Sequence, residues 1–148
     1  MKIINRKARF NYELLDRLET GIVLTGSEVK SVKAGHISLA EAYVRLIDGE
    51  LWLINATISP YKFANNEDYD PIRTRKLLVH KHQILTLTKK MEGKNLTLVP
   101  TAIYTSRGRV KLEIALARGR KEFEKREKIK ARDMEREKER TLKTINCS

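Results

Sequence analysis

The sequence predicts a mainly β fold: a small closed barrel with two or three short helices, followed by a basic C-terminal tail. Three observations predict it. Period-two alternation of apolar and polar residues dominates positions 1–117, the signature of strands with one buried face. An Asp48-Gly49 pair separates two such runs, and that dipeptide favours the positive φ angles of a two-residue hairpin turn. The chain then changes character near Ala117. Residues 118–148 hold 12 basic and 7 acidic side chains in 31 positions, no proline and one glycine, Gly119.

In chain order, residues 8–16 place Phe10, Leu14 and Leu15 at helical spacing and predict a first helix. Thr20 to Leu24 reads as a strand. Residues 27–34 predict a second helix, with Ser27 as N-cap, Glu28 in the first turn and Gly35 beyond its end. Leu39 to Ile47 sets Ala42, Val44 and Leu46 on one face against Tyr43, Arg45 and Ile47, and Leu51 to Ile54 supplies the second arm of the hairpin. A further strand is expected at Leu77 to Val79. Residues 81–91 put Ile84, Leu87 and Met91 at helical spacing, stopping at Gly93. The last two strands are Asn95 to Tyr104 and Arg109 to Ala117, joined through Thr105-Ser106-Arg107-Gly108. In the second of them Val110, Leu112, Ile114 and Leu116 alternate with Lys111, Glu113 and Ala115. Five or six short strands, with a helix inserted before the last hairpin, fit an OB-fold-like closed barrel over residues 1–117. An SH3-like barrel stays open on this reading.

The tail, residues 118–148, is expected to stand apart from the barrel. Glu122 with Arg126 and Glu124 with Lys128 are i,i+4 pairs in the favourable orientation. A highly charged segment without an apolar stripe buries little, so it is expected to be disordered when free and helical against an anionic partner. A solvated tail with no partner is the alternative.

Charge narrows the function. The chain carries 31 Lys and Arg against 19 Asp and Glu, a net charge of +12. Such an excess is a statement about partners, and nucleic acid comes first because neutralised phosphates release condensed counterions. A membrane surface is the second candidate, but no predicted helix pairs a basic face with a broad apolar one. The longest purely apolar runs are a few residues, against the roughly 20 that span a bilayer. The single cysteine, Cys147, makes no internal disulfide, and residues 1–25 contain no secretory h-region. A cytoplasmic chain, monomeric when free, is expected.

Catalytic constellations are not found. The sequence shows no nucleophile elbow, no Gly-rich phosphate loop and no CxxC pair, and Ser27 reads more simply as a cap than as a nucleophile. His80 and His82 would share a strand face but have no third ligand close by. No enzyme activity, cofactor or metal is expected. Cations interleaved with rings are the stronger signal. Asn5-Arg6-Lys7-Ala8-Arg9-Phe10-Asn11-Tyr12 opens the domain, Lys30 and Lys33 lie three apart on the second helix, and Arg73, Arg75 and Lys76 flank Thr74. Guanidinium forks and ammonium groups suit phosphates, and rings suit unpaired bases.

Several strings then resemble one family. Asn5-Arg6-Lys7-Ala8, Glu19-Thr20-Gly21-Ile22-Val23-Leu24 and Gly26-Ser27-Glu28-Val29-Lys30-Ser31 are similar to the opening of the small protein B (SmpB) family. Asp70-Pro71, Arg73-Thr74-Arg75-Lys76-Leu77-Leu78 and His80-Lys81 resemble its centre. Leu98-Val99-Pro100, Tyr104 and Ile114-Ala115-Leu116-Ala117-Arg118-Gly119-Arg120-Lys121 resemble its last hairpin and exit. The likeness runs from about residue 3 to 132. It implies an OB-fold barrel that grips the tRNA-like domain of transfer-messenger RNA (tmRNA, SsrA) in trans-translation, with the family's RNA-binding positions matching Asn5, Tyr12, Glu19 and Leu78. It also implies a tail that enters the empty message channel at the decoding centre of the small ribosomal subunit. Arg118, Arg120, Lys121, Phe123, Glu124, Lys125, Arg126, Lys128, Lys130 and Arg132 would serve there. Glu124-Lys125-Arg126 stands where the family commonly has Asp-Lys-Arg, and Phe123 where some members carry His or Tyr, which keeps stacking and loses a hydrogen bond. Alanyl-tmRNA with elongation factor Tu is an implied partner. A general OB-fold RNA-binding or RNA-chaperone protein is the rival reading.

Overall fold

The computed structural model describes residues 1–63 and 67–119. The chain is mainly β with three short helices among the described residues, in the order β1 (Lys2–Ile4), α1 (Arg6–Asn11), β2 (Tyr12–Ile22), α2 (Gly26–Lys33), β3 (Ile37–Ser38), β4 (Tyr43–Ile47), β5 (Glu50–Ile54), β6 (Thr57–Ile58), β7 (Arg75–Leu78), α3 (Lys81–Met91), β8 (Thr97–Ser106) and β9 (Arg109–Gly119). The main sheet runs β1-β8-β4-β5-β7-β2-β9, and β9 pairs again with β8, so its strand order returns on itself; β3 and β6 form a separate small pair.

The turns follow the chemistry of their residues. Asp48 and Gly49 both have positive φ, 50° and 77°, as do Arg107 and Gly108, 52° and 76°. Both hairpins therefore close on two-residue turns whose twist matches the flanking strands. The second connection is tighter than the four residues expected, because Ser106 and Arg109 already pair. Helix α3 has the expected bounds.

The first helix is shorter than expected. It ends at Asn11, and Tyr12 is already extended, with φ −129° and ψ 145°. From there Leu18, Thr20 and Ile22 turn inward while Leu15, Arg17 and Glu19 face out, and Leu14 packs in a separate cluster with Ala8 and Val99. This period-two set, reinforced by pairing with β7, outweighs the helical spacing of Phe10 and Leu14. The cap of α2 also moves. Thr25, not Ser27, precedes the helix, its Oγ1 accepting the Glu28 N–H at 3.3 Å while Glu28 Oε1 accepts the Thr25 N–H at 2.9 Å. That reciprocal capping box satisfies two backbone donors at once.

The core fills the space inside the ring with Val44, Leu51, Leu53, Leu77, Leu98, Ile103, Leu112, Ile114 and Leu116. The inward residues of β9 are the expected ones. Its opposite face is also buried at Ala115 and Ala117, because Ala8, Tyr12 and Leu14 build a second cluster with Val99 and Ala117 outside the ring. Strand β8 is irregular where it carries proline. Its register slips between Pro100 and Ala102, since proline cannot donate to the ladder and is confined to such bulges.

Candidate nucleic-acid interface

Register builds the main site. Pairing of Gly21 with Leu78 and Ile22 with Leu77 lays β2 beside β7. Along β7 the side chains alternate, Arg75 and Leu77 inward, Lys76 and Leu78 outward. A cleft of about 680 Å³ opens on the outer side, lined by Glu19, Gly21, Glu50, Lys76, Leu78, His80, Lys81 and Lys111 among others. Three residues expected at the interface, Glu19 from β2 and Lys76 and Leu78 from β7, thus meet around one hollow.

Each is held in place. The Tyr104 hydroxyl donates to Glu19. Burial, then the hydrogen bond to Glu19 and the charges of Glu19 and Glu113, push the Tyr104 phenol up to about 12, so it stays a donor across physiological pH. Lys76 Nζ lies 3.0 Å from Glu50. Leu78 is 54% exposed, and its place depends on what Gly21 lacks. A Cβ at Gly21 would come within 3.1 Å of Leu78 Cβ, tight enough to force Leu78 aside. The cleft therefore offers a carboxylate that accepts from a base edge or 2′-hydroxyl, lysines for phosphate, and an apolar surface for a ribose or base.

Two expected contacts belong to the interior instead. Arg75 has no exposed surface. Its Nε donates to Glu28 Oε2 at 2.8 Å, its Nη1 to the carbonyls of Ala56 and Arg73 at 2.9 Å each, and its Nη2 to that of Pro71 at 3.2 Å. Arg73 reaches the same carboxylate, 2.5 Å from Glu28 Oε1. Burial pushes the Glu28 carboxyl up, but hydrogen bonds from Thr25, Arg73 and Arg75 and the charge of Arg75 outweigh it, leaving it below the usual range. Arg75 thus acts on RNA at most through the loop it pins.

Asn5 is the other. It is 5% exposed; its Nδ2 donates to the carbonyls of Leu39 at 3.0 Å and Pro100 at 2.8 Å, and its Oδ1 accepts the Ala8 N–H at 3.2 Å. It caps α1 and satisfies a carbonyl at the β8 bulge, so three backbone groups occupy the amide that the resemblance assigns to RNA.

The remaining expected residues lie elsewhere. Arg6, Lys7 and Arg9 sit on α1, with Arg6 exposed and Lys7 paired to Glu41. Tyr12 is half-buried against the second cluster. Lys30 and Lys33 are exposed in the last turn of α2. Arg118, expected in the tail, lies on β9 and pairs with Glu13. Arg120, Lys121, Phe123, Glu124, Lys125, Arg126, Lys128, Lys130 and Arg132 lie outside the described residues.

Sequence reasoning missed Gly21, Lys81, Lys111 and Tyr104 as parts of the site. A glycine inside a strand was the available signal for Gly21. Lys111 alternates outward on β9, and nothing local marks it off from other exposed lysines. His80 and His82 stand with rings stacked, centroids 6.0 Å apart, because His80 precedes α3 rather than lying on a strand.

Comparison with known proteins agrees over nearly the whole chain. The family model described as SmpB protein matches residues 2–144. A protein named SsrA-binding protein from Persephonella marina (strain DSM 14350 / EX-H1) is 50% identical over 133 residues, 90% of this chain and 88% of its own length. Another of that name, from Bartonella henselae (strain ATCC 49882 / DSM 28221 / CCUG 30454 / Houston 1), is 51% identical over 140 residues, 94% of this chain and 89% of its own. A chain from a solved structure described as "tmRNA-SmpB: a journey to the center of the bacterial ribosome" superposes with a TM-score of 0.67 at 47% identity, covering 82% of this chain and 85% of that one.

Proposed function

Because the chain belongs to the SmpB protein family, we propose that it is a tmRNA (SsrA)-binding protein of trans-translation that delivers tmRNA to stalled ribosomes. The observation that carries this reading at the level of residues is the meeting of Glu19, Lys76 and Leu78 around one cleft. The closed strand order is read as an OB-like barrel, which takes the tRNA-like domain through that cleft. Glu19 accepts from a base or 2′-hydroxyl, Lys76, Lys81 and Lys111 neutralise phosphates, and Leu78 packs against a sugar or base. The names of the relatives and of the solved complex support the choice of RNA. Residues 118–148 occupy the empty message channel of the small subunit, and alanyl-tmRNA arrives with elongation factor Tu. The protein acts as a cytoplasmic monomer before it meets RNA.

Competitive binding at near-physiological salt tests this. The tRNA-like domain of tmRNA is set against an ordinary tRNA and an unstructured RNA of equal length. Preference for the first is expected, and equal affinity for all three would leave only a general basic RNA-binding barrel. Glu19→Ala lowers the preference by roughly 5- to 100-fold if it makes one buried hydrogen bond with RNA, and Leu78→Ala lowers it through the apolar contact it removes.

A further inference from the structure

A second aromatic and basic surface lies on the connection that leaves β6. Tyr61 and Phe63 pack edge to face, ring centroids 5.5 Å apart at 71°. Lys30 Nζ stands 5.4 Å from the centre of the Tyr61 ring and Lys62 Nζ 4.9 Å from that of Phe63. Phe63 is 76% exposed, the highest value among the exposed large apolar side chains of the described residues. One exposed phenylalanine needs no explanation. Two rings in contact, each with a lysine over it, form a patch of distinct chemistry, and none of the four residues lines the cleft.

The base of this connection is fixed. Ser59 N–H donates to His36 O at 3.0 Å, Ile58 N–H to Pro71 O at 3.0 Å, and the Tyr69 hydroxyl to Ile58 O at 2.8 Å. Arg75 clamps Ala56, Pro71 and Arg73 from inside. Pro60, with its ring-restricted φ, lies between this anchor and Tyr61. The rings therefore rise from a held base, which lowers the ordering cost of binding.

We propose that Tyr61 and Phe63, with Lys30 and Lys62, form a second RNA contact that stacks an unpaired base and neutralises its flanking phosphates. Exposed rings bind any base through its π face, and lysines beside them bind the backbone. An acidic protein segment would use the lysines but gain little from an open phenyl face, so RNA is the better fit. This inference rests on the proposed reading that the chain binds RNA.

The test uses the full chain and an oligoadenylate of about ten nucleotides, within the usual site sizes of single-strand binders. Phe63→Ala is expected to weaken binding roughly 5- to 150-fold, Phe63→Tyr to restore it, and Phe63→Trp in a Trp52→Phe background to give indole fluorescence that the oligonucleotide quenches. A duplex of equal charge should bind Phe63→Ala as it binds the parent. Lys30→Gln with Lys62→Gln should flatten the salt dependence, which Phe63→Ala leaves alone. An unchanged Phe63→Ala affinity, an equal loss on duplex and single strand, or preferential binding of a polyglutamate peptide would each overturn the proposal. Binding of the tRNA-like domain is measured on the same samples. If it fails altogether, the reading as a tmRNA-binding protein falls while the oligoadenylate result still judges the aromatic patch.

Discussion

A buried polar side chain is stable only while its partners are present, and Asn5 and Arg75 each have several. Asn5→Ala strands two carbonyls and removes a helix cap, so a loss of about 2–4 kcal/mol is expected in denaturant unfolding. Loss of RNA affinity in a variant that keeps its stability would show instead that Asn5 reads RNA directly. Tyr104→Phe tests the opposite kind of residue. It frees the Glu19 carboxylate, and a roughly 5-fold weaker RNA affinity with little change in stability is expected, about 1 kcal/mol. The raised phenol pKa stabilises the folded form fully below pH 10. That contribution fades as pH climbs toward 12, so the fall in stability between about pH 10 and 12 should be shallower in Tyr104→Phe. Arg75 is the residue where charge clustering misleads. Its neighbours Arg73 and Lys76 look alike in sequence, but Arg75 shares the parity of Leu77, and parity alone assigns it to the interior.

Elements were legible where their pattern was long. α3, both hairpins and the inward face of β9 follow from spacing and turn chemistry. β1, β3 and β6 span only two or three residues, too few for any period to register, and their pairing depends on partners far along the chain. The site was legible in part for the same reason: Glu19 and Leu78 were named by family likeness, while their adjacency comes from the pairing of β2 with β7. The joint of α2 and β7 gives an element-scale prediction. The Glu28 carboxyl is held below its ordinary value, so its contribution is present above the unfolded carboxylate pKa and lost as pH falls through the folded one. Glu28→Gln should weaken the acid dependence of stability below about pH 4.5. Arg75→Ala should cost about 3–5 kcal/mol, because it leaves a buried carboxylate with fewer donors. Gly21→Ala tests the β2–β7 contact from outside: Leu78 must shift, and RNA affinity should fall while the fold persists.

For the whole molecule, the excess of cations sets the range of conditions under which RNA is held. Binding should weaken linearly in log K against log salt, and Lys81→Gln or Lys111→Gln should each reduce the slope by about one phosphate contact. Ending the chain at Gly119 keeps β9 complete. Such a protein should hold the tRNA-like domain within about threefold of the parent, the share that outlying cations supply through counterion release, yet fail to rescue stalled ribosomes. Loss of RNA affinity on truncation would refute this division of labour between residues 1–117 and the tail.

The ring also dictates when the protein can exist during its own synthesis. β1 waits for β8, whose partners Ala102 to Tyr104 emerge about 100 residues later, roughly 5–20 s at ordinary translation rates. Closure waits longer still, for β9, which must cover the open edges of β2 and β8. A message broken before the codon for Gly119 would yield a chain whose last strand is short or missing, with those edges exposed to aggregation and proteolysis. Folding of this chain is thereby a report that its sheet was translated to the end.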